Sequence, residues 1–160
     1  MDDKINLELL LRDLYEAMSE LSIVLDTEHD ALAATDADKL QQAALMKEQL
    51  SDKVAHLDAQ RVSILSKNRL ENNLAGMQTL INQSSSQDEN ALFKLWNMVS
   101  EMAQDCTTKN KLNGIIIEAK RRQTSAALSV LQGYRPDSDE LYDSDGTAVK
   151  TQPNSTIARA

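Results

Sequence analysis

The feature that most constrains the fold is a long periodic run of residues between Asp88 and Gln132. Positions spaced alternately by three and four form one line along this stretch, like the seam of a coiled coil. The capping box Ser86-Gln87-Asp88-Glu89 predicts its start, and Gly133, followed by Pro136, predicts its end. A helix of this length needs other helices to cover its seam, so the sequence predicts a helical bundle.

The seam of this helix is apolar near its start and polar in its middle. An amide in a seam, here Asn113, specifies helix register in coiled coils. The adjacent Gly114 lowers helix propensity by about 1 kcal/mol and predicts either a close crossing by another helix or a bend. The seam positions are Leu92, Trp96, Val99, Ala103, Cys106, Asn110, Asn113, Ile117, Lys120, Thr124, Ala127 and Leu131.

Two more long amphipathic stretches, at about residues 3–34 and 36–68, precede this helix. The tight break between them, with Thr35 or Asp36 as the cap of the second, predicts an antiparallel hairpin. Charged residues interrupt their leucine seams, and we expect the basic ones to snorkel or to pair with acids of neighbouring helices, such as Glu28. The interrupting residues are Glu28, Lys47 and Arg61.

The segment Arg69–Gln83 has helical spacing that is weakened by Asn72, Asn73 and Gly76. It is either a short separate helix or a continuation of the second helix after a kink. The predicted fold is therefore all-α, an antiparallel bundle of three long helices plus one short helical segment with coiled-coil-like seams. Residues 1–133 would form this bundle.

Residues 134–160 lose the apolar periodicity and are predicted to be a flexible, acidic, disordered tail. Leu141 and Tyr142 are the large apolar pair within it. Such a pair is typical of a short docking motif, and the alternative is that it folds back on the bundle as a cap.

Composition supports helix and excludes several functions. Aromatic residues make up 3% of the chain, with four Gly and two Pro, whereas sheets and their turns need more of each. The net charge of −8 argues against nucleic-acid binding. One cysteine excludes an intramolecular disulfide. No secretory signal or membrane span is visible, so we expect a cytoplasmic protein without membrane insertion.

The sequence also lacks the groupings that chemistry requires. His29 and His56 lie on different helices, without zinc-ligand spacing, and are expected to be solvated or hydrogen-bonded. Cys106 lies in the seam, where a small apolar side chain packs well. No Gly-rich phosphate loop is present, and we expect no enzyme activity, no metal and no cofactor.

After Gly114 the apolar arc of the last helix is wider than one seam requires. At about 100° per residue, Leu112 and Ile116 fall to one side of the seam, and Ile115 lies almost opposite it. Such a stripe can bind an amphipathic partner helix, unless the segment Arg69–Gln83 covers it. The candidate partner-binding residues are Leu112, Ile115, Ile116, Ala119, Thr124, Ala127, Leu128, Val130 and Leu131.

Taken in order, these features resemble the FlgN-type flagellar export chaperones. The resemblance extends to about Gly146, and Asn-x-x-Asn-Gly is its most specific motif. The residues that carry it are Glu28, Lys47, Leu50, Leu57, Arg61, Trp96, Cys106, Asn110, Asn113, Gly114, Leu128 and Leu131, with Leu141-Tyr142-Asp143-x-x-Gly146 in the tail.

The resemblance implies a non-catalytic helical bundle that binds the C-terminal helices of the hook-associated, hook–filament junction proteins. It implies that the bundle keeps them unpolymerised and docks to the cytosolic domain of the export gate membrane protein. Tyr142 matches the docking tyrosine, with Leu141 beside it and Tyr134 as a second candidate. The residues leave two other functions open. One is a coiled-coil adaptor or oligomerisation module without a secretion role, and the other is a helical-bundle enzyme or metal carrier.

Overall fold

The computed structural model describes residues 2–83, 89–133, 141–142 and 148–149. In this part of the chain, the helices are α1 (Asp2–Ala34), α2 (Ala37–Lys67), α3 (Leu74–Gln83) and α4 (Glu89–Leu131). The three long helices and one short helix confirm the predicted fold class. The contacts divide the chain into two units, Met1–Ile117 and Glu118–Ala160.

The predicted tail falls mostly outside the described residues. Its described part consists of two short strands, β1 (Leu141–Tyr142) and β2 (Ala148–Val149). They pair antiparallel, with Leu141 opposite Val149 and Tyr142 opposite Ala148. The sequence pattern did not predict this pair of strands.

The reversal between α1 and α2 is made by Thr35 and Asp36. Thr35 has a φ of 56°, and the backbone N–H of Asp36 donates to the carbonyl oxygen of Ala31 at 3.0 Å, which closes α1 in a Schellman motif. The carboxylate of Asp36 then accepts from the backbone N–H of Lys39 at 3.1 Å and caps α2. The predicted cap and hairpin are therefore confirmed.

A second turn of the same kind separates α2 from α3. Arg69 has a φ of 57°, and the backbone N–H of Leu70 donates to the carbonyl oxygen of Leu65 at 2.9 Å. The side chain of Asn73 then accepts from the backbone N–H of Gly76 at 2.8 Å at the start of α3. Of the two readings left open for this segment, the separate helix is therefore correct.

The apolar core of the first unit joins all four helices. Fully burying a leucine contributes about 1.5–3 kcal/mol, so this cluster is the main source of bundle stability. Its buried members are Leu7, Leu11 and Leu14 of α1, Leu65 of α2, Met77, Leu80 and Ile81 of α3, and Leu92 and Val99 of α4. The α3 residues share this core with Leu92 and Val99 near the start of α4, while Leu112 and Ile115 are exposed, so the alternative that the segment Arg69–Gln83 covers the stripe is wrong.

Side-chain bonds give the directions of the long helices. Glu28 of α1 pairs with Lys47 of α2, and Glu20 pairs with Lys53, so these helices run antiparallel. Cys106 bonds to Met18, and Asn113 bonds to Leu25. From the first bond to the second, the residue number increases by seven on both helices, so α4 runs parallel to α1. Over the described residues, each helix is too short or too polar to cross a bilayer.

Candidate functional site

A buried polar layer joins α1, α2 and α4 near the middle of the bundle. Asn113 is 1% exposed, and its amide nitrogen donates to the carbonyl oxygen of Leu25 at 2.8 Å and to Glu28 Oε2 at 2.9 Å. The other carboxylate oxygen of Glu28 accepts from Lys47 Nζ. His29 Nδ1 lies 3.1 Å from Asn113 Oδ1, where a ring N–H can donate to the amide oxygen.

This layer explains two of the polar interruptions in the seams. A buried carboxylate needs a countercharge and hydrogen bonds, and Glu28 has both. The predicted pairing of Lys47 with Glu28 is confirmed. The predicted hydrogen-bonded state of His29 is also confirmed. The neighbouring Asn110 is exposed and does not join the layer.

Arg61 is satisfied in a different way from Lys47. Its guanidinium donates to Asp58 of its own helix at 2.8 Å and to the side chain of Asn72 at 2.8 Å. It also lies 5.3 Å from the ring centroid of Trp96, within cation–π range. The sequence predicted that Arg61 would snorkel or pair with an acid of a neighbouring helix, but it is buried and its acidic partner, Asp58, is three residues away on α2.

A second polar cluster lies on the α1–α4 interface next to this layer. Lys109 donates to Ser22 at 2.7 Å and to Asp26 at 2.8 Å, and the hydroxyl of Ser22 donates to Asp105 at 2.8 Å. The hydrogen bonds from Ser22 and Lys109 lower the pKa of Asp105 below its ordinary value. The bond to Asp26 raises the pKa of Lys109.

Cys106 packs on the seam as predicted, and its Sγ donates to the carbonyl oxygen of Met18 at 3.2 Å. Burial raises the pKa of this thiol, so the reactive thiolate is disfavoured. Among the residues that the structure describes, no three histidine, cysteine, aspartate or glutamate side chains converge as metal ligands.

An open groove of about 410 Å³ lies above Cys106, between α2 and α4 and over α1. Its floor is apolar, whereas its walls carry two lysines, an amide and two hydroxyl groups. The lining residues are Leu21, Leu25, Lys47, Ser51, Cys106, Thr107, Asn110 and Lys111.

Gly114 was expected to permit a close helix crossing or a bend. A Cβ placed at Gly114 would meet no atom within 4 Å. Among the described residues, a close crossing by another helix of this chain is therefore not the reason for this glycine. The alternative, a bend in the helix, stays a prediction. At Gly76, in contrast, an added Cβ would overlap the backbone carbonyl of Glu71.

The candidate partner-binding residues leave much apolar surface uncovered. In the first unit, Leu112 and Ile115 are 48% and 57% exposed, and Ile116 is half-buried. The exposure of Ile115 is as predicted. In the second unit all the candidate residues are exposed, namely Ala119, Thr124, Ala127, Leu128, Val130 and Leu131. The candidate gate-docking residues are Leu141 and Tyr142. The structure describes the pairing of their backbone in β1 with β2.

Sequence reasoning missed one apolar surface on the α1–α2 hairpin. Ile23 and Met46 are exposed there, at the edge of a groove of about 520 Å³. Both residues lie outside the leucine seams, and that position is the signal that could have identified them. The groove is also lined by Glu20, Val24, Gln49, Leu50 and Lys53.

Comparison with protein families matches residues 1–150 to the family described as FlgN protein. The chain belongs to the FlgN family. This confirms the resemblance inferred from the FlgN-type motifs in the sequence. Comparison with curated proteins gives no significant match.

A crystal structure supports the FlgN fold. It is that of a Pseudomonas aeruginosa protein named as a candidate flagella synthesis protein FlgN, and it aligns with a TM-score of 0.65 at 22% sequence identity. The alignment covers 79% of this chain and 95% of that one. At this identity the likeness shows a shared fold.

Proposed function

We propose that this protein is a cytosolic flagellar export chaperone. It binds the C-terminal helical segments of hook-associated proteins, prevents their premature polymerisation and delivers them to the export gate. The observation that carries this proposal is the FlgN family match over residues 1–150. The exposed apolar side chains of α4 support it, because a chaperone for helices needs uncovered apolar surface.

The cargo surface in this proposal consists of apolar residues of α4 that are exposed or, like Ile116, half-buried. In the first unit, Leu112 and Ile116 are four positions apart and therefore neighbours on one helical face. Burying such side chains against a cargo helix contributes about 25 cal/mol per Å² of apolar area, less the cost of ordering both partners. In the second unit, Leu128, Val130 and Leu131 offer further apolar area.

The test of cargo binding is calorimetric titration of the chain with the C-terminal segments of hook-associated proteins. We expect Ile116→Asp to weaken binding by about tenfold or more, because a charge would be buried in the interface. Ile23→Asp, at an exposed apolar position of α1, is the matched control and should bind normally. Circular dichroism checks folding, and an Ile116→Asp chain that melts early would identify Ile116 as core instead.

Gate docking is proposed to depend on Tyr142, with Leu141 beside it. Tyr142→Ala should weaken binding to the cytosolic domain of the export gate protein and leave cargo affinity unchanged. Tyr134→Ala is the comparison, because Tyr134 is the second candidate for this role. Loss of cargo affinity in Tyr142→Ala, with gate binding intact, would disprove this division of roles.

A further inference from the structure

Gly114 is a glycine for which the described part of the chain gives no internal reason. It lies inside the long helix α4, where glycine lowers helix propensity, and an added Cβ there would meet no atom within 4 Å. Alanine would therefore fit without any rearrangement of the bundle. A glycine of this kind keeps a backbone accessible for close approach from outside.

The open side of Gly114 continues the groove above Cys106. Asn110 and Lys111 line this groove, and they precede Gly114 by four and three residues. Residues at these spacings are neighbours on one face of a helix. The groove therefore extends along α4 to a position that has no side chain, which is the geometry that a second helix needs to pack closely.

The charges of the groove indicate which side chain an incoming helix would place in it. Lys47 lines it from α2 and Lys111 from α4, and buried Glu28 balances one of these two charges. The groove therefore has an excess positive charge, although the whole chain has a net charge of −8. Ser51, Thr107 and Asn110 add hydrogen-bonding groups. A carboxylate is the partner that complements this wall.

Of the apolar residues of α4 in the first unit, Ile115 borders this groove, whereas Leu112 and Ile116 each lie about 160° around the helix from Gly114 at 100° per residue. Ile115 is exposed and follows Lys111 by four residues, so the two are neighbours on α4. We propose that the groove between α2 and α4 is the seat of a cargo helix, which approaches Gly114 closely and places an acidic side chain between Lys47 and Lys111. This inference rests on the proposed function, because it takes the helix to belong to an export cargo.

The test is calorimetric titration of the full chain and its variants with C-terminal segments of hook-associated proteins. We expect Gly114→Leu and Lys111→Glu each to weaken binding by about tenfold or more. The first fills the space that the cargo backbone needs, and the second repels the cargo carboxylate. Neither should lower the melting temperature, because Gly114 has open space and Lys111 is exposed.

Two matched controls on α4 separate this groove from general effects. Asn97→Leu adds bulk at an exposed position of α4 that lies nine residues before Cys106, the first residue of α4 in the groove. Lys94→Glu reverses an exposed charge outside the groove. Both variants should bind cargo like the unmodified chain. For Lys111→Glu, changing one acidic residue of the cargo segment to lysine should restore binding.

The outcomes distinguish this inference from the proposed function. If the unmodified chain binds none of the segments, the proposed function fails. If it binds and both groove variants bind equally well, the groove assignment is overturned. If Gly114→Leu only converts a dimer of the chain into monomers and leaves cargo affinity unchanged, the occupant is a second copy and the inference is likewise overturned.

Discussion

At the scale of single residues, the buried carboxylate of Glu28 decides what its neighbours must be. It is 2% exposed, and its two oxygens are bonded to Lys47 and Asn113 from two different helices. A buried charge that loses one partner is strongly destabilising, because its remaining hydration cost is uncompensated. Glu28, Lys47 and Asn113, which interrupt the seams of α1, α2 and α4, therefore form one interacting group.

Replacement of Asn113 tests this group directly. Asn113→Ala removes the amide that bonds Leu25 and Glu28, so we expect a loss of about 1–3 kcal/mol in the free energy of unfolding. Asn110→Ala, at the exposed asparagine three residues earlier, should change it by less than about 0.5 kcal/mol. Urea denaturation measures both. Equal effects of the two substitutions would mean that the buried bonds of Asn113 add nothing to stability.

At the scale of the helices, the glycines of α3 and α4 differ in the space around them. Gly76 is required by the turn before it, since a Cβ would overlap the Glu71 carbonyl, whereas Gly114 meets nothing. We expect Gly76→Ala to destabilise the fold by roughly 1–3 kcal/mol through steric overlap. Gly114→Ala should stabilise it by about 0.5–1 kcal/mol through helix propensity. Thermal and urea unfolding would refute this assignment if both substitutions had the same sign.

The helices and the α1–α2 reversal were largely predictable from the sequence, but the left-handed residues of the two turns and the separate α3 were not. Apolar periodicity placed α1, α2 and α4 within a few residues of their observed ends. Thr35 and Arg69 adopt the left-handed backbone conformation, which glycine usually occupies at the end of a helix. Because neither residue is a glycine, the sequence did not indicate this conformation. The separate α3 depends on the Asn73 cap and on the close contact at Gly76, which a pattern of apolar residues cannot show.

The candidate site was predictable to a smaller extent for a related reason. The pairing of Lys47 with Glu28 follows from the rule that a seam charge needs a countercharge. The open space beside Gly114 does not follow from any local rule, because it depends on where α2 and α4 lie in the folded chain. The exposure of Ile23 and Met46 was not predicted, because these residues lie outside the apolar seams from which the helix packing was inferred.

At the scale of the whole molecule, exposed carboxylates link folding to pH. The backbone N–H of Lys39 lowers the pKa of Asp36, and the hydroxyl of Ser22 lowers that of Asp105. A carboxyl whose pKa is lower in the folded state contributes stability that is present above its unfolded pKa, which is 3.8 for both residues. That stability is lost as the pH falls through the folded pKa.

We therefore expect the free energy of unfolding to fall as the pH is lowered below about 4. Urea denaturation at pH values between neutral and acidic would measure the decrease. Asp36→Asn is a specific control, because asparagine caps a helix as well as aspartate does but does not titrate. Its pH dependence should be weaker than that of the unmodified chain, and an unchanged dependence would exclude a contribution from Asp36.

The parallel arrangement of α1 and α4 has a consequence for the order of folding. The α1–α2 hairpin joins residues that are close in sequence, whereas the bond between Asn113 and Leu25 joins residues 88 positions apart. Contacts between distant residues form slowly, since a long loop must close before they add stability. We therefore expect the hairpin to form before α4 docks during synthesis, with its leucines uncovered and Glu28 lacking one partner. In this expectation the docking of α4 is the late step that completes the native bundle.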